Sequence, residues 1–153
     1  MSIEYLSPDG LHENPAFSQV VVTQGKVLTV YVGGQNAVNS SGEIVGEGDI
    51  GQQAEQVFKN LEIALSAAGA RLENIIKWNV YVVHGQPPQP AFEVFRRVWG
   101  NRSNPPLVTV LFVAGLANPD FLLEIEAIAV VPDNNGQQGA APDSFSAALQ
   151  SRR

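Results

Sequence analysis

The sequence predicts an α+β fold with the element order β-β-α-β-α-β-β and both helices packed on one face of the sheet. Two segments repeat their apolar residues at helical spacing, and five segments show the alternation or β-branched content typical of strands. The 153 residues suffice for one domain with a sizeable core. We expect an N-terminal arm over residues 1–14, the folded domain over 15–132 and a C-terminal tail over 133–153.

The N-terminal part of the chain is predicted to contain a loop and two strands. Residues 1–15 are rich in turn-forming residues and are expected to be a loop or a loosely docked arm. Residues 17–23 and 27–32 are β-branched and are expected to be strands, joined by a short turn at Gly25. The glycines in residues 33–35 predict a bend, or a close approach of another group, where the second strand ends.

The first helix is predicted to begin at Asp49, after a polar, glycine-rich loop over residues 40–48. Asp49 and Gln52 have the spacing of a capping box, in which side chains satisfy unpaired amides at a helix start. Apolar residues then recur at helical spacing up to Ala68, and Gly69 is well placed to end the helix.

The second half of the chain is predicted to contain three strands and the second helix. Residues 73–84 and 106–113 are expected to be strands, and residues 91–99 are expected to be a helix with Phe92, Phe95 and Trp99 on one face. Residues 144–150 have the composition of a further short helix within the polar tail.

Residues 121–131 are expected to form a strand with two different faces. One set of alternating residues in this strand is wholly apolar and is expected to face the core. The other set includes Glu124 and Glu126, about 7 Å apart by strand geometry. Two carboxylates in an apolar strand indicate either a chemical role, since like charges raise one another's pKa, or ion pairs where two subunits meet. We therefore expect this face to line a pocket or to meet a partner subunit.

The composition argues against several classes of function. The formal charge is −6 with only nine Lys and Arg, so no basic surface for nucleic acid is evident. Cysteine is absent, which excludes thiolate chemistry and zinc–thiolate sites, and the sequence implies no metal and no cofactor. No apolar segment has the length of a membrane span, so a cytoplasmic protein is the default interpretation.

Seven short motifs, taken in order, resemble the Rid family of reactive-intermediate deaminases, also called the YjgF family. They lie at residues 17–19, 33–35, 42–45, 60–61, 67–70, 75–83 and 124–129. The resemblance implies a chorismate-mutase-like fold and a homotrimer whose sheets form a central barrel, with small-molecule pockets at the subunit seams. In deaminating members an arginine in the pocket binds the carboxylate of an imino acid, and a glutamate and backbone amides orient the attacking water.

This sequence departs from the family pattern at four positions that the resemblance places in the pocket. Leu107 occupies the arginine position, and an uncharged side chain cannot bind a carboxylate. Phe17 replaces a tyrosine, Phe92 replaces an asparagine and Gly33 stands where many members have serine. The resemblance leaves unchanged the acid Glu124, the backbone of Gly34 and Gln35, and Thr109, whose amide would face the pocket.

The resemblance, together with these substitutions, implies a hydrophobic pocket that retains one acidic residue. The first hypothesis is a trimer that binds a small, apolar or carbonyl- or imine-bearing metabolite between subunits, with Glu124 orienting water for hydrolysis. The alternative is a non-catalytic trimer that senses a metabolite or acts as a scaffold. Ribonuclease activity, ascribed to some members, fits the charge of −6 least well. Arg102, five residues before Leu107, is a candidate substitute for the missing arginine.

Overall fold

A computed structural model describes residues 1–133, which form six strands, two α-helices and one short 3-10 helix. The strands are β1 (Ser2–Leu6), β2 (Val20–Gln24), β3 (Val27–Gln35), β4 (Ile75–Val83), β5 (Leu107–Val113) and β6 (Leu123–Pro132). The helices are α1 (Ile50–Ala67) and α2 (Gln89–Trp99), and the 3-10 helix spans Leu72–Asn74. The predicted α+β fold is confirmed.

The main sheet has four strands in the order β3-β6-β4-β5. β6 is antiparallel to both of its neighbours, whereas β4 and β5 are parallel and are connected through α2. β6 is the last strand of the described residues, yet it lies inside the sheet between β3 and β4, and β3 and β5 are the two edge strands. Both edge strands therefore keep a row of backbone groups that no strand in residues 1–133 pairs.

The two helices cover one face of this sheet and bury most of the apolar side chains. Trp78 of β4 and Leu123 and Ile125 of β6 belong to the core beneath them. Trp78 makes edge-to-face contacts with the rings of Phe58 and Phe95, at 5.7 and 5.9 Å between centroids. Such aromatic packing positions α2 against α1 and the sheet.

The termini of α1 follow the sequence prediction. Asp49 caps the helix by accepting a hydrogen bond from the backbone N–H of Gln52 at 3.0 Å, and the Gln52 side chain bonds to the same carboxylate at 2.9 Å. Gly69 follows the helix with a φ of +70°, a conformation that favours glycine. No helix in residues 1–133 is long and apolar enough to cross a membrane.

The structure corrects two details of the predicted elements. Residues 2–6 form β1 rather than a loop, and β1 pairs with β2 in a separate two-stranded sheet. The strand predicted from residue 73 begins at Ile75, because residues 72–74 form the 3-10 helix. The helix predicted at residues 144–150 lies outside the described residues.

Candidate functional site

The face of the sheet opposite the helices carries a band of polar side chains. Lys77, Asn79 and Tyr81 alternate with the core residues of β4, and Glu124 and Glu126 alternate with those of β6. The band is flanked by apolar side chains that reach solvent, including Tyr31 at 77% exposure and Leu111 at 49%. The sequence predicted this uncovered face, and Glu124 and Glu126 both lie on it.

The Glu124 carboxylate is positioned by the end of β3. Asn36 donates a hydrogen bond from Nδ2 to Glu124 Oε2 at 3.1 Å. The same carboxylate lies against Gly34, where a Cβ atom would overlap Oε1. Glycine at residue 34 therefore leaves the space that Glu124 occupies.

Asn36 is a site residue that the sequence prediction missed. It follows directly after the predicted bend at residues 33–35, where the pairing of β3 with β6 shifts in register. Its own carbonyl oxygen accepts a hydrogen bond from Asn60 of α1 at 2.9 Å, so the helix fixes the residue that orients Glu124. An amide residue next to a glycine bend was the one indication available in the sequence.

Glu126 is engaged by two neighbours on β4. Asn79 Nδ2 and the Tyr81 hydroxyl both donate to Glu126 Oε1, at 2.6 and 2.9 Å. The Asn79 hydrogen bond, followed by the Tyr81 hydrogen bond and the charge of Lys77, lowers the pKa of Glu126. The hydrogen bond to Glu126, together with desolvation and the nearby negative charges, raises the pKa of Tyr81. Glu126 is thus an ionised structural acceptor, and Glu124 is left as the carboxylate with the smaller set of partners.

Leu107 and Thr109 lie on the same face but not beside Glu124. Leu107 is paired with Lys77 and Thr109 with Asn79, whereas Glu124 is paired with Tyr81 further along β4. Glu124 lies four residues further along the strand direction than Leu107 and two strands away. The distance between the two residues is therefore about 16 Å. The two residues can face a common pocket only if they come from different copies of the chain.

Phe17 and Phe92 lie on the other side of the sheet. They line an apolar cavity of about 350 Å³ between α2, the segment before β2 and the helix-covered face. The cavity is lined by Asn14, Ala16, Phe17, Phe58, Trp78, Val80, Val82, Pro88, Ala91, Phe92, Phe95, Val108, Val110, Leu123 and Ile125. Within one chain, Phe17 and Phe92 therefore lie on the helix-covered side of the sheet, whereas Leu107 and Glu124 lie on its uncovered face.

Gly33 and Gln35 lie at the bend that ends β3. Gln35 donates a hydrogen bond from its side chain to the carbonyl oxygen of Gly33 at 3.1 Å, and Gln35 is paired with Ile125 of β6. Gly34, which lies between them, packs against Glu124.

Within one chain, Arg102 is engaged at the end of α2. Its guanidinium donates to the carbonyl oxygens of Val98 and Trp99 at 2.7 and 2.6 Å, and lies 5.8 Å from the Trp99 ring centre. These contacts hold Arg102 at the C-terminal end of α2, where a cation complements the unpaired carbonyl groups.

Comparisons with known proteins cover the whole candidate site. Residues 11–131 match the family model described as Endoribonuclease L-PSP. A RutC family protein of Pyrococcus horikoshii is 39% identical over 101 residues, which make up 65% of this chain and 77% of that protein. The 2-iminobutanoate/2-iminopropanoate deaminase of Rattus norvegicus is 34% identical over 116 residues, or 75% of this chain and 80% of that enzyme.

The fold of this chain is also similar to that of a solved structure. A protein of the conserved Rid protein family from Yersinia pestis superposes with a TM-score of 0.73 at 31% identity, and the match covers 86% of this chain and 100% of that one. Every predicted site residue, from Phe17 to Glu124, falls within the segment that matches the family model.

Proposed function

The chain belongs to the Rid family, whose family model is described as Endoribonuclease L-PSP, and from this premise we propose that it binds a small metabolite between copies of itself. The ligand is apolar or bears a carbonyl or imine group, and Glu124 orients the water that hydrolyses it. The observation that carries the proposal is the Glu124 carboxylate, held by Asn36 beside Gly34 on a sheet face that the helices leave uncovered.

The positions of the site residues support a pocket shared by two copies in a homotrimer. Gly34 and Glu124 lie towards the β3 edge of the sheet, and Leu107 and Thr109 lie on the β5 edge. A ring in which the β5 side of one copy approaches the β3 side of the next would bring these residues together. Contacts between two different surfaces generate closed rings when the rotation closes.

The proposed reaction is the hydrolysis of a C=N bond. Water adds to the imine carbon while Glu124 accepts one of its protons. The nitrogen takes up protons, the C–N bond of the tetrahedral intermediate breaks, and ammonia leaves a C=O group behind. Backbone amides near Gly34 and Thr109 donate hydrogen bonds to the oxygen as it gains negative charge.

Leu107 determines which imines are suitable in this proposal. A leucine offers no partner to a carboxylate, whereas it packs favourably against an uncharged alkyl or aryl group. The deaminase relative named above acts on imino acids by its name. This chain is instead assigned uncharged imines or carbonyl compounds as ligands.

A trapping assay tests the proposal. An amine oxidase acting on 2-phenylethylamine generates an uncharged imine, and semicarbazide captures the fraction that has not been hydrolysed. We expect native protein to reduce the captured fraction, Glu124→Gln to lose this effect and Glu43→Gln, at an exposed position, to retain it. Equal activity in native protein and Glu124→Gln would remove Glu124 from the mechanism.

The alternative function is non-catalytic sensing or scaffolding by the same trimer. It is favoured by the replacement of polar pocket positions with Phe17, Phe92 and Leu107, which leaves few groups for chemistry. A thermal-shift screen followed by product analysis separates the two functions. Stabilisation by a ligand that is recovered unchanged supports the sensor, and a new product supports the enzyme.

A further inference from the structure

We propose that Asn60 of helix α1 is a positioning residue for Glu124, that it acts through Asn36, and that this arrangement leaves Glu124 Oε1 as the atom that takes the proton from water. Asn60 is not itself hydrogen-bonded to Glu124. The inference rests on the proposed function, because a proton acceptor is needed only if hydrolysis occurs, and it adds a residue of a helix to that mechanism.

The two oxygen atoms of the Glu124 carboxylate have different surroundings. Oε2 accepts the hydrogen bond from Asn36 Nδ2 at 3.1 Å. Oε1 lies against Gly34 and accepts no hydrogen bond from any group in residues 1–133. An ionised carboxylate has acceptor positions on both oxygens, so the oxygen without a partner is the one that can still accept from water. Oε1 is therefore the oxygen that the fold leaves available.

The side-chain amide of Asn36 is held in one orientation. Besides Glu124 Oε2, its Nδ2 donates to the carbonyl oxygen of Leu123 at 3.4 Å, so two acceptors of neighbouring residues in β6 face the amide nitrogen. A reversed amide would place Oδ1 against these two acceptors. Asn36 thus presents a donor to Oε2 as long as its own backbone stays in place.

Asn60 fixes the backbone that carries the Asn36 side chain. Its Nδ2 donates to the carbonyl oxygens of Asn36 and Val38, at 2.9 and 2.8 Å, on either side of the fully buried Ala37. Gln56, one turn earlier in α1, donates to Asn60 Oδ1 at 2.8 Å. Because both donors and the acceptor of the Asn60 amide are engaged, α1 holds this segment in a single position.

This support matters because residue 36 lies beyond the regular pairing of the sheet. β3 ends at Gln35, after a shift in its register against β6. Backbone groups beyond a strand end need partners other than the strand ladder, and here the Asn60 side chain supplies them. A displacement of a reacting group by about 1 Å can cost about a hundredfold in rate, so fixing Asn36 has a direct consequence for Glu124.

Asn60→Asp is the test variant, because it keeps the shape of the side chain and the acceptor for Gln56 but removes both donors. Asn39→Asp is the matched control: it makes the same chemical change in the adjacent loop, where the Asn39 side chain bonds only to Ser41 and Glu43.

The first readout is the trapping assay described above, at a temperature at which native protein and both variants are folded. We expect Asn60→Asp to lower kcat by about tenfold, the factor that corresponds to losing one hydrogen bond to a charged group. KM should stay nearly unchanged, because no group that meets the ligand is removed, and Asn39→Asp should retain both constants. Should Asn60→Asp fail to fold, Gln56→Leu removes the bond that orients Asn60 and should lower kcat by about two- to threefold.

The second readout does not depend on turnover. In nitrogen-15 NMR spectra, the side-chain amide of Asn36 reports on its hydrogen bond to Glu124. We expect this signal to shift in Glu124→Gln and in Asn60→Asp, and to keep its position in Asn39→Asp. A residue that only stabilised the fold would lower the free energy of unfolding without moving this signal.

The two readouts separate this inference from the proposed function. Native kcat in Asn60→Asp, or an Asn36 amide signal that does not move in that variant, would overturn the positioning role and leave the hydrolase proposal standing. If native protein hydrolyses no uncharged imine, the proposed function fails, and the Asn36 signal then decides by itself whether Asn60 positions Glu124.

Discussion

The Glu124 carboxylate packs directly on Gly34, so closely that a side chain at residue 34 would overlap it. The contact joins β6 to the bend at the end of β3, and Asn36 secures it with a hydrogen bond of 3.1 Å. Glycine is required here by the presence of an acid rather than by an unusual backbone angle, because the φ of Gly34 is not positive. The position of the Glu124 carboxylate therefore depends on the bend at the end of β3.

Gly34→Ala should displace the Glu124 carboxylate and cost about 1–3 kcal/mol in the free energy of unfolding. Gly33→Ala is the matched control, because a Cβ at residue 33 meets no atom within 4 Å. Denaturant unfolding of both variants measures the difference. Equal stabilities would show that Glu124 can leave its position at no cost.

The Glu126 cluster predicts a specific response to acid. Because the pKa of Glu126 in the folded chain is below its ordinary value of 4.5, ionised Glu126 stabilises the fold above about pH 4.5. This contribution is lost as the pH falls through the folded-state pKa. Asn79→Ala should raise the pKa of Glu126, and by more than Tyr81→Phe does, because the Asn79 hydrogen bond is the larger cause. Carbon-13 NMR of the glutamate carboxyl groups follows this titration, and a Glu126 pKa that is the same in all three proteins would contradict the assignment.

Gln53 is a buried polar residue on which three backbone groups depend. Its side chain donates to the carbonyl oxygens of Gly46 and Asp120 and accepts from the N–H of Leu122, at 3.2, 2.8 and 2.9 Å. Gln53→Leu should lower the free energy of unfolding by about 2–4 kcal/mol, because these groups lose their partners away from water. Thermal and denaturant unfolding measure the loss.

Gln56→Leu is the matched control for Gln53→Leu on the same helix. Its side chain is half-buried and makes one hydrogen bond, to Asn60 Oδ1 at 2.8 Å. We expect a loss of about 1 kcal/mol or less. A Gln53→Leu variant no less stable than Gln56→Leu would show that water replaces the buried hydrogen bonds.

RNA should remain intact in the presence of the purified protein, despite the description of the family model. The net charge of −6 repels a polyanion, and phosphate contacts dominate affinity for nucleic acids. Gel analysis of a labelled RNA at low salt, where binding is strongest, provides the measurement. Cleavage that co-elutes with the protein and withstands a metal chelator would refute this expectation.

The sequence predicted the elements whose patterns are local. The apolar alternation in β6 and the cap formed by Asp49 and Gln52 are both present in the structure. The sequence prediction missed strand β1. Residues 2–6 form a strand because they pair with β2, and the local propensities of residues 1–15 carry no information about that pairing.

The position of Glu124 on an uncovered sheet face was predictable from the sequence, but the arrangement of the residues around it was not. Glu124 and its uncovered face follow from alternation along one strand, whereas its distance from Leu107 depends on the sheet order β6-β4-β5, which does not follow the chain order. The contact of Asn36 with Glu124 depends on the register of β3 against β6 in the same way. Pairing between distant segments leaves no pattern within either segment.

The most direct test of the account is deamination of 2-aminoacrylate by native protein, Leu107→Arg and the double variant Leu107→Arg/Glu124→Gln. The native protein should show little or no activity, because Leu107 offers no charge to the carboxylate of the derived imine. Leu107→Arg should raise the rate by about tenfold or more, since one charge-assisted contact of about 1.4 kcal/mol or more corresponds to that factor, and the double variant should lose the gain. Rapid turnover by native protein that persists in Glu124→Gln would contradict both the role of residue 107 and the role of Glu124.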